Sequence, residues 1–169
     1  MTGSLTMDWD FSTRRLGFRP DGTPIAGGIA PDRRFRATFR VEPQHIDEMG
    51  HVNNAVWLLW LQDIAAAHWY AAARDEDRDR LVGIVLKHEI DYRANVGVGA
   101  EIIVETWIDS LPQGLRCTRM ARFTDAAGKL LVATTSQWGM LDRETGRLAR
   151  IGADVVTPFL PLAGAADPS

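Results

Sequence analysis

His45–Asn54, HIDEMGHVNN, runs directly into Asn54–Ala73, NAVWLLWLQDIAAAHWYAAA, and the fold is decided at that junction. The second stretch is apolar on nearly every face, a pattern that belongs to a helix buried at the centre of a fold rather than to a surface helix. Its length invites a membrane reading, but Gln62, Asp63 and His68 interrupt it and its second half is rich in alanine, a weak inserter. The first stretch places a carboxylate, Asp47, and an imidazole, His51, on a short turn before the helix starts. Backbone N–H groups at a helix N-terminus favour negative charge. A carboxylate beside them is the minimum equipment for attack on a carbonyl.

Working outward, Phe35, Ala37, Phe39 and Val41 alternate with Arg34, Arg36, Thr38 and Arg40. That period of two predicts a half-buried strand, ended by Pro43. Asn53 or Asn54 is placed to cap the helix, and the run RDEDRDR after it (Arg74 to Arg80) reads as a solvated loop. Beyond lie strand-like segments at Leu81 to Tyr92, Glu101 to Asp109, Leu115 to Thr124 and Lys129 to Leu141. The connectors NVGVG, SLPQG and DAAGK mark tight reversals. Alternating strands need cover on one face, and only this helix is apolar enough to supply it. The expected architecture is α+β: an antiparallel sheet of about five to six strands wrapped around one long central helix. We place this domain at residues 31–160, after an extension over 1–30 and before a tail at 161–169. The extension is rich in Gly and Pro, and Trp9, Phe11 and Phe18 give it means to pack on a neighbour. Open sheet edges and the second sheet face argue for a homo-oligomer, dimer or tetramer.

Lys and Arg total 19 against 22 Asp and Glu, a formal net charge of -3, with no basic stretch. Nucleic acid and anionic membranes are therefore not expected partners. The single cysteine, Cys117, excludes an internal disulfide and suits a reducing, cytoplasmic setting; in its strand-like context it reads as a packed small residue. No basic region followed by an apolar run opens the chain, so no secretory signal is expected. His45, His51 and His88 share no metal-ligand spacing with each other or with Cys117, so neither a metal nor another cofactor is proposed.

The order of elements, with the motif at this position, resembles the hotdog-fold thioesterases of the 4-hydroxybenzoyl-CoA thioesterase superfamily. The likeness spans roughly residues 34–158 and rests on DEMGHVNNAVWLLWLQD, on HEIDYRANVGVGAEIIV and on the closing meander. The first block is also similar to the DxxxHVNN segment of plant acyl-ACP thioesterases. The resemblance implies a thioester hydrolase acting on acyl-CoA or acyl-carrier protein. It makes Asp47 the nucleophile or general base, assigns His51 a catalytic role, and has Gly50 to Asn54 supply backbone donors to the thioester oxygen. Three positions depart from relatives: Met49 stands where plant enzymes have Asn, Asn95 where they have Glu, and Ala65 where many bacterial relatives have Arg.

Each site residue also has a plainer reading. Asp47 is placed to form an Asx-turn, His51 to fix the turn, and Asn53 and Asn54 to cap. Asp63, inside a helix meant for burial, is expected at a subunit contact or the substrate pocket, and His68 as a hydrogen-bonded core histidine. Arg93, Arg116 and Arg119 are candidates for the phosphates of CoA, with edge protection as their alternative. The trio Trp57, Trp60 and Trp69 points to a restricted acyl tunnel, with packing against the sheet as its alternative. The alternative for the whole chain is a non-catalytic acyl-CoA-binding or regulatory module.

Overall fold

The computed structural model describes residues 25–163; most of the expected extension, with Trp9, Phe11 and Phe18, and the end of the tail lie outside them. The order is β1 (Gly27–Ile29), β2 (Phe35–Arg40), a 3-10 turn (Pro43–His45), α1 (Asn54–Ala72), α2 (Asp75–Arg80), β3 (Leu81–Tyr92), β4 (Glu101–Ile108), β5 (Cys117–Asp125), β6 (Leu130–Asp142), β7 (Leu148–Ala149), α3 (Ala153–Val156) and a final 3-10 turn (Thr157–Phe159). The strands form one antiparallel sheet in the order β1-β2-β4-β5-β6-β3, with β7 paired to the end of β6. This is the hotdog fold: a sheet wrapped around a single long helix.

Alternation does what the sequence implies. Phe35 and Ala37 on β2, Ile102 and Val104 on β4, Phe123 on β5 and Val132 on β6 turn inward and meet Val56, Trp57, Leu61 and Ile64 of α1. Aromatic contacts pin the first half of the helix: Trp60 stacks on Phe39 at 5.2 Å, and Trp57 meets Trp60 at 5.3 Å and Phe123 at 5.5 Å, both edge-on. A second cluster closes the other end of α1, where Leu81, Ile108, Cys117, Met140, Val155 and Phe159 come together. Trp57 and Trp60 are thus core residues, and Trp69, stacked on Phe159 at 5.7 Å, belongs to the far end.

Two segments differ from expectation. The sheet has seven strands, because Gly27–Ile29 pairs with β2 and Leu148–Ala149 with β6; both are too short to show alternation. The charged run forms a helix, not a loop. Arg74 donates to Asp77 at 2.7 Å and Arg78 pairs with Asp75, so neighbours three apart stabilise one turn, and Asp77 is buried.

Candidate functional site

The HIDEMGHVNN segment folds back on itself. Ile46 and Val52 form an isolated antiparallel bridge, the Asp47 N–H donates to the His51 carbonyl at 2.9 Å, and the Gly50 N–H donates to the Asp47 carbonyl at 3.0 Å. Gly50 sits at φ +76°, a conformation that glycine adopts without strain. Asp47 Oδ1 accepts from the N–H groups of Met49 (2.9 Å) and His51 (3.3 Å). The Asx-turn is therefore present, and it takes one carboxylate oxygen; Oδ2 has no hydrogen bond among the described residues. Asp47 is half-buried, whereas Met49, Gly50 and His51 are exposed.

Asn53 caps α1, its side-chain oxygen accepting from the Ala55 N–H at 2.9 Å, and its carbonyl accepts from Val56 at 2.9 Å. The Asn53 N–H is taken by the His45 carbonyl. The N–H of Asn54, first residue of the helix, has no acceptor among the described residues, and the Asn54 carbonyl accepts from the Tyr92 hydroxyl at 3.3 Å. One unsatisfied helix N-terminal donor thus lies seven residues beyond Asp47 on the same folded turn.

Asn95 anchors the turn, a role the sequence did not disclose. Its side-chain oxygen accepts from the N–H groups of Val52 (2.9 Å) and Val96 (2.8 Å), and its amide donates to the Val52 carbonyl at 3.0 Å. Val52 is fully buried, so its polar groups must be satisfied internally. His45 supports the same region from below: its Nδ1 accepts from the Glu42 N–H at 3.0 Å and its ring meets Trp60 edge-on at 5.1 Å. Burial lowers the His45 pKa, with nearby Glu42 opposing.

The remaining candidates scatter. Asp63 is buried on α1. Arg93 is exposed, follows β3 and bonds Asp91 at 2.7 Å; Arg116 is exposed and bonds Gln137 at 3.0 Å. The Arg93 N–H donates to the carbonyl of Leu131, whereas Cys117, next to Arg116, is in register with Trp138. Seven residues of β6 separate these points, about 23 Å. Arg93 shares the end of the sheet that holds Asn95 and the turn; Arg116 lies at the other.

Arg119 departs from the exposed-face expectation. β5 is an interior strand, and its period of two sends residues 116 and 122 one way and residue 119 the other, under α1. Arg119 Nη1 donates to His68 Nδ1 and to Thr106 Oγ1, each at 3.1 Å. His68 is fully buried, as a hydrogen-bonded core histidine should be, and burial followed by the Arg119 charge pushes its pKa down to about 2. Cys117 is free and buried, its thiol pKa raised by burial.

The family model for the acyl-ACP thioesterase N-terminal domain matches residues 32–159. The chain belongs to that family. The family places it among thioester hydrolases. Similar solved structures carry the same fold at low identity. SAV2348 from Staphylococcus aureus, in complex with CoA, is 17% identical, with 75% of this chain and 82% of that chain covered and a TM-score of 0.67. An acyl-ACP thioesterase from Bacteroides thetaiotaomicron is 19% identical, with 80% and 57% covered and a TM-score of 0.67. The 12:0-ACP thioesterase from Umbellularia californica is 20% identical, with 72% and 48% covered and a TM-score of 0.63. This member of the family thus spans about half the length of those two acyl-ACP thioesterases. No curated protein matches it. Among the described residues no helix is long and apolar enough to cross a membrane.

Proposed function

We propose that the chain hydrolyses acyl-CoA thioesters, with acyl-carrier protein as the alternative thioester donor, and that Asp47 carries the chemistry. The supporting observation is the folded turn itself: a half-buried carboxylate with Oδ1 held by the N–H groups of Met49 and His51, ahead of the open Asn54 N–H. Oδ2 is left to act. As nucleophile it attacks the thioester carbonyl, expels the thiolate and forms a mixed anhydride that water opens. As base it takes a proton from water, which adds to the same carbon while the thiolate leaves. In either route the carbonyl oxygen gains negative charge, and the Asn54 N–H at the helix N-terminus is the donor proposed to stabilise it. Gly50 gives the chain its reversal, Asn53 fixes the cap, and the exposed His51 imidazole protonates the leaving thiolate or orients water. Asp63 is assigned to a subunit contact or the pocket wall.

Of the candidate phosphate ligands, Arg93 is the one at the turn's end of the sheet, and guanidinium pairs with phosphate in a bidentate way. Arg116 reaches the same CoA only across a subunit boundary. The proposed assembly is a homo-oligomer in which a second copy completes the substrate groove. The expected compartment is the cytoplasm, on the strength of the single buried cysteine.

One observation favours the second reading, an acyl-CoA-binding module without turnover. Asn95, at a position where plant relatives carry Glu, uses its amide on Val52. Acyl-CoAs of short, medium, long and aryl type, and the matching acyl-carrier proteins, assayed by thiol release with a trapping dye, decide between them. Turnover on at least one class is expected. Tight binding without thiol release on every class favours the module.

A further inference from the structure

Away from the turn, the second half of α1 and strands β3, β5 and β6 enclose a cavity of about 120 Å³. Its walls include Ala65, Ala66, Trp69 and Trp138, and Tyr70 and Arg143, both exposed, stand at its rim. Arg119 lines it as well and is 6% exposed.

Buried arginines are normally matched by a carboxylate. The other buried arginine among the described residues, Arg34, has the Glu105 carboxylate at 3.8 Å. Arg119 has none among the described residues. Its partners are neutral: the Thr106 hydroxyl, which spends its own proton on the Met120 carbonyl, and His68, which accepts through Nδ1 and is therefore uncharged. Only Nη1 is used in these bonds. The guanidinium carbon also lies 6.0 Å from the ring centroids of Trp138 and Phe159, too weak a contact to replace an anion. The Trp138 indole N–H, in the same wall, has no acceptor either. No Asp or Glu lines the cavity. The pocket thus presents a cation and an unused N–H donor among largely apolar walls, with Gln62 beside them and no carboxylate to neutralise the charge.

We infer that this cavity is a binding site for a carboxylate carried on a compact apolar body, with Arg119 as the residue that recognises the anion. The volume suits about six carbon-sized atoms, since a cavity of ~150 Å³ holds benzene. Arg143 at the rim draws an anion toward the mouth. Two sources supply such a group: a free short-chain acid, or the far end of an acyl chain that bears a terminal carboxylate. Ala65 and Trp69 lie 11 and 15 residues beyond Asn54, ~17–22 Å along the helix axis. An acyl tail held at the turn of the same subunit therefore has to be long, ~16 carbons, to arrive.

Trp69 and Trp138 report on the cavity by fluorescence, so binding is read without turnover. In the full-length protein hexanoate should bind at least ~10-fold more tightly than 1-hexanol, the range expected of a charge-assisted hydrogen bond. Arg119→Met should remove that preference, and Arg119→Lys should restore part of it. Equal affinity for hexanoate and 1-hexanol in the wild type overturns the inference, whether or not Arg119→Met folds. So does hexanoate binding that is unchanged in Arg119→Met. Hexadecanoyl-CoA and its ω-carboxy analogue then separate the sources: a preference for the analogue in kcat/KM, lost in Arg119→Met, assigns the site to the acyl tail. With hexanoate bound and no such preference, the ligand is a free acid. The substrate arm rests on the thioesterase reading; the hexanoate arm does not, so the two fail separately.

Discussion

At the residue scale, the chain commits buried polar groups to specific partners, and their removal should be measurable. Asn95→Ala leaves the C=O of fully buried Val52 without its donor and the Val52 N–H with only its longer bond to the Val96 carbonyl, 3.2 Å. A loss of ~1–3 kcal/mol in urea unfolding is expected, together with lower activity, because the turn bearing Asp47 loses its anchor. His68 supplies a pH dependence. Its folded pKa, about 2, lies below the ordinary 6.5, so under acid the unfolded chain takes up a proton that the native one refuses. Stability should therefore be full above about pH 6.5 and fall as pH drops toward 2, by ~1.4 kcal/mol per pH unit from this group alone. Melting temperatures between pH 7 and 5 check this, and His68→Gln should flatten the slope. The sequence marked His68 as a hydrogen-bonded core histidine, but neither its partner nor the role of Asn95 was legible there. Asn95 is 43 positions from Val52 and His68 is 51 from Arg119, pairings that depend on register across the whole sheet.

At the element scale, α1 and β3 were legible because their patterns are long. β3 runs over the twelve residues the alternation marks, Leu81–Tyr92, and α1 starts at the Asn54 junction. β1 and α2 were not, one being three residues of Gly-Gly-Ile and the other held by ion pairs that look, in sequence, like any charged loop. Arg119 shows the same lesson from the other side: strand period alone separates it from Arg116, but which face is buried depends on where the helix lies. The central helix is held by deep side chains, so Leu61→Ala, at a position 1% exposed, should cost ~2–5 kcal/mol of stability. An unfolding curve with a shifted midpoint and unchanged slope is the expected result.

At the scale of the molecule, β3 bonds β6 on one side, and its other edge pairs with no strand among the described residues. A twelve-residue edge carrying half-exposed Ile84 and exposed Leu86 and Tyr92 is an invitation to pair with another chain. Light scattering coupled to size exclusion should give a mass of at least twice 18.7 kDa; a monomer at micromolar concentration would remove the second copy from the proposed groove. The chemistry itself nevertheless rests on one side chain, Asp47. Steady-state turnover of the best acyl-CoA substrate by Asp47→Asn, with folding checked by circular dichroism, tests it most directly. If Asp47 is nucleophile or base, kcat falls by ~100-fold or more; a folded variant that keeps activity within ~10-fold of wild type excludes both roles.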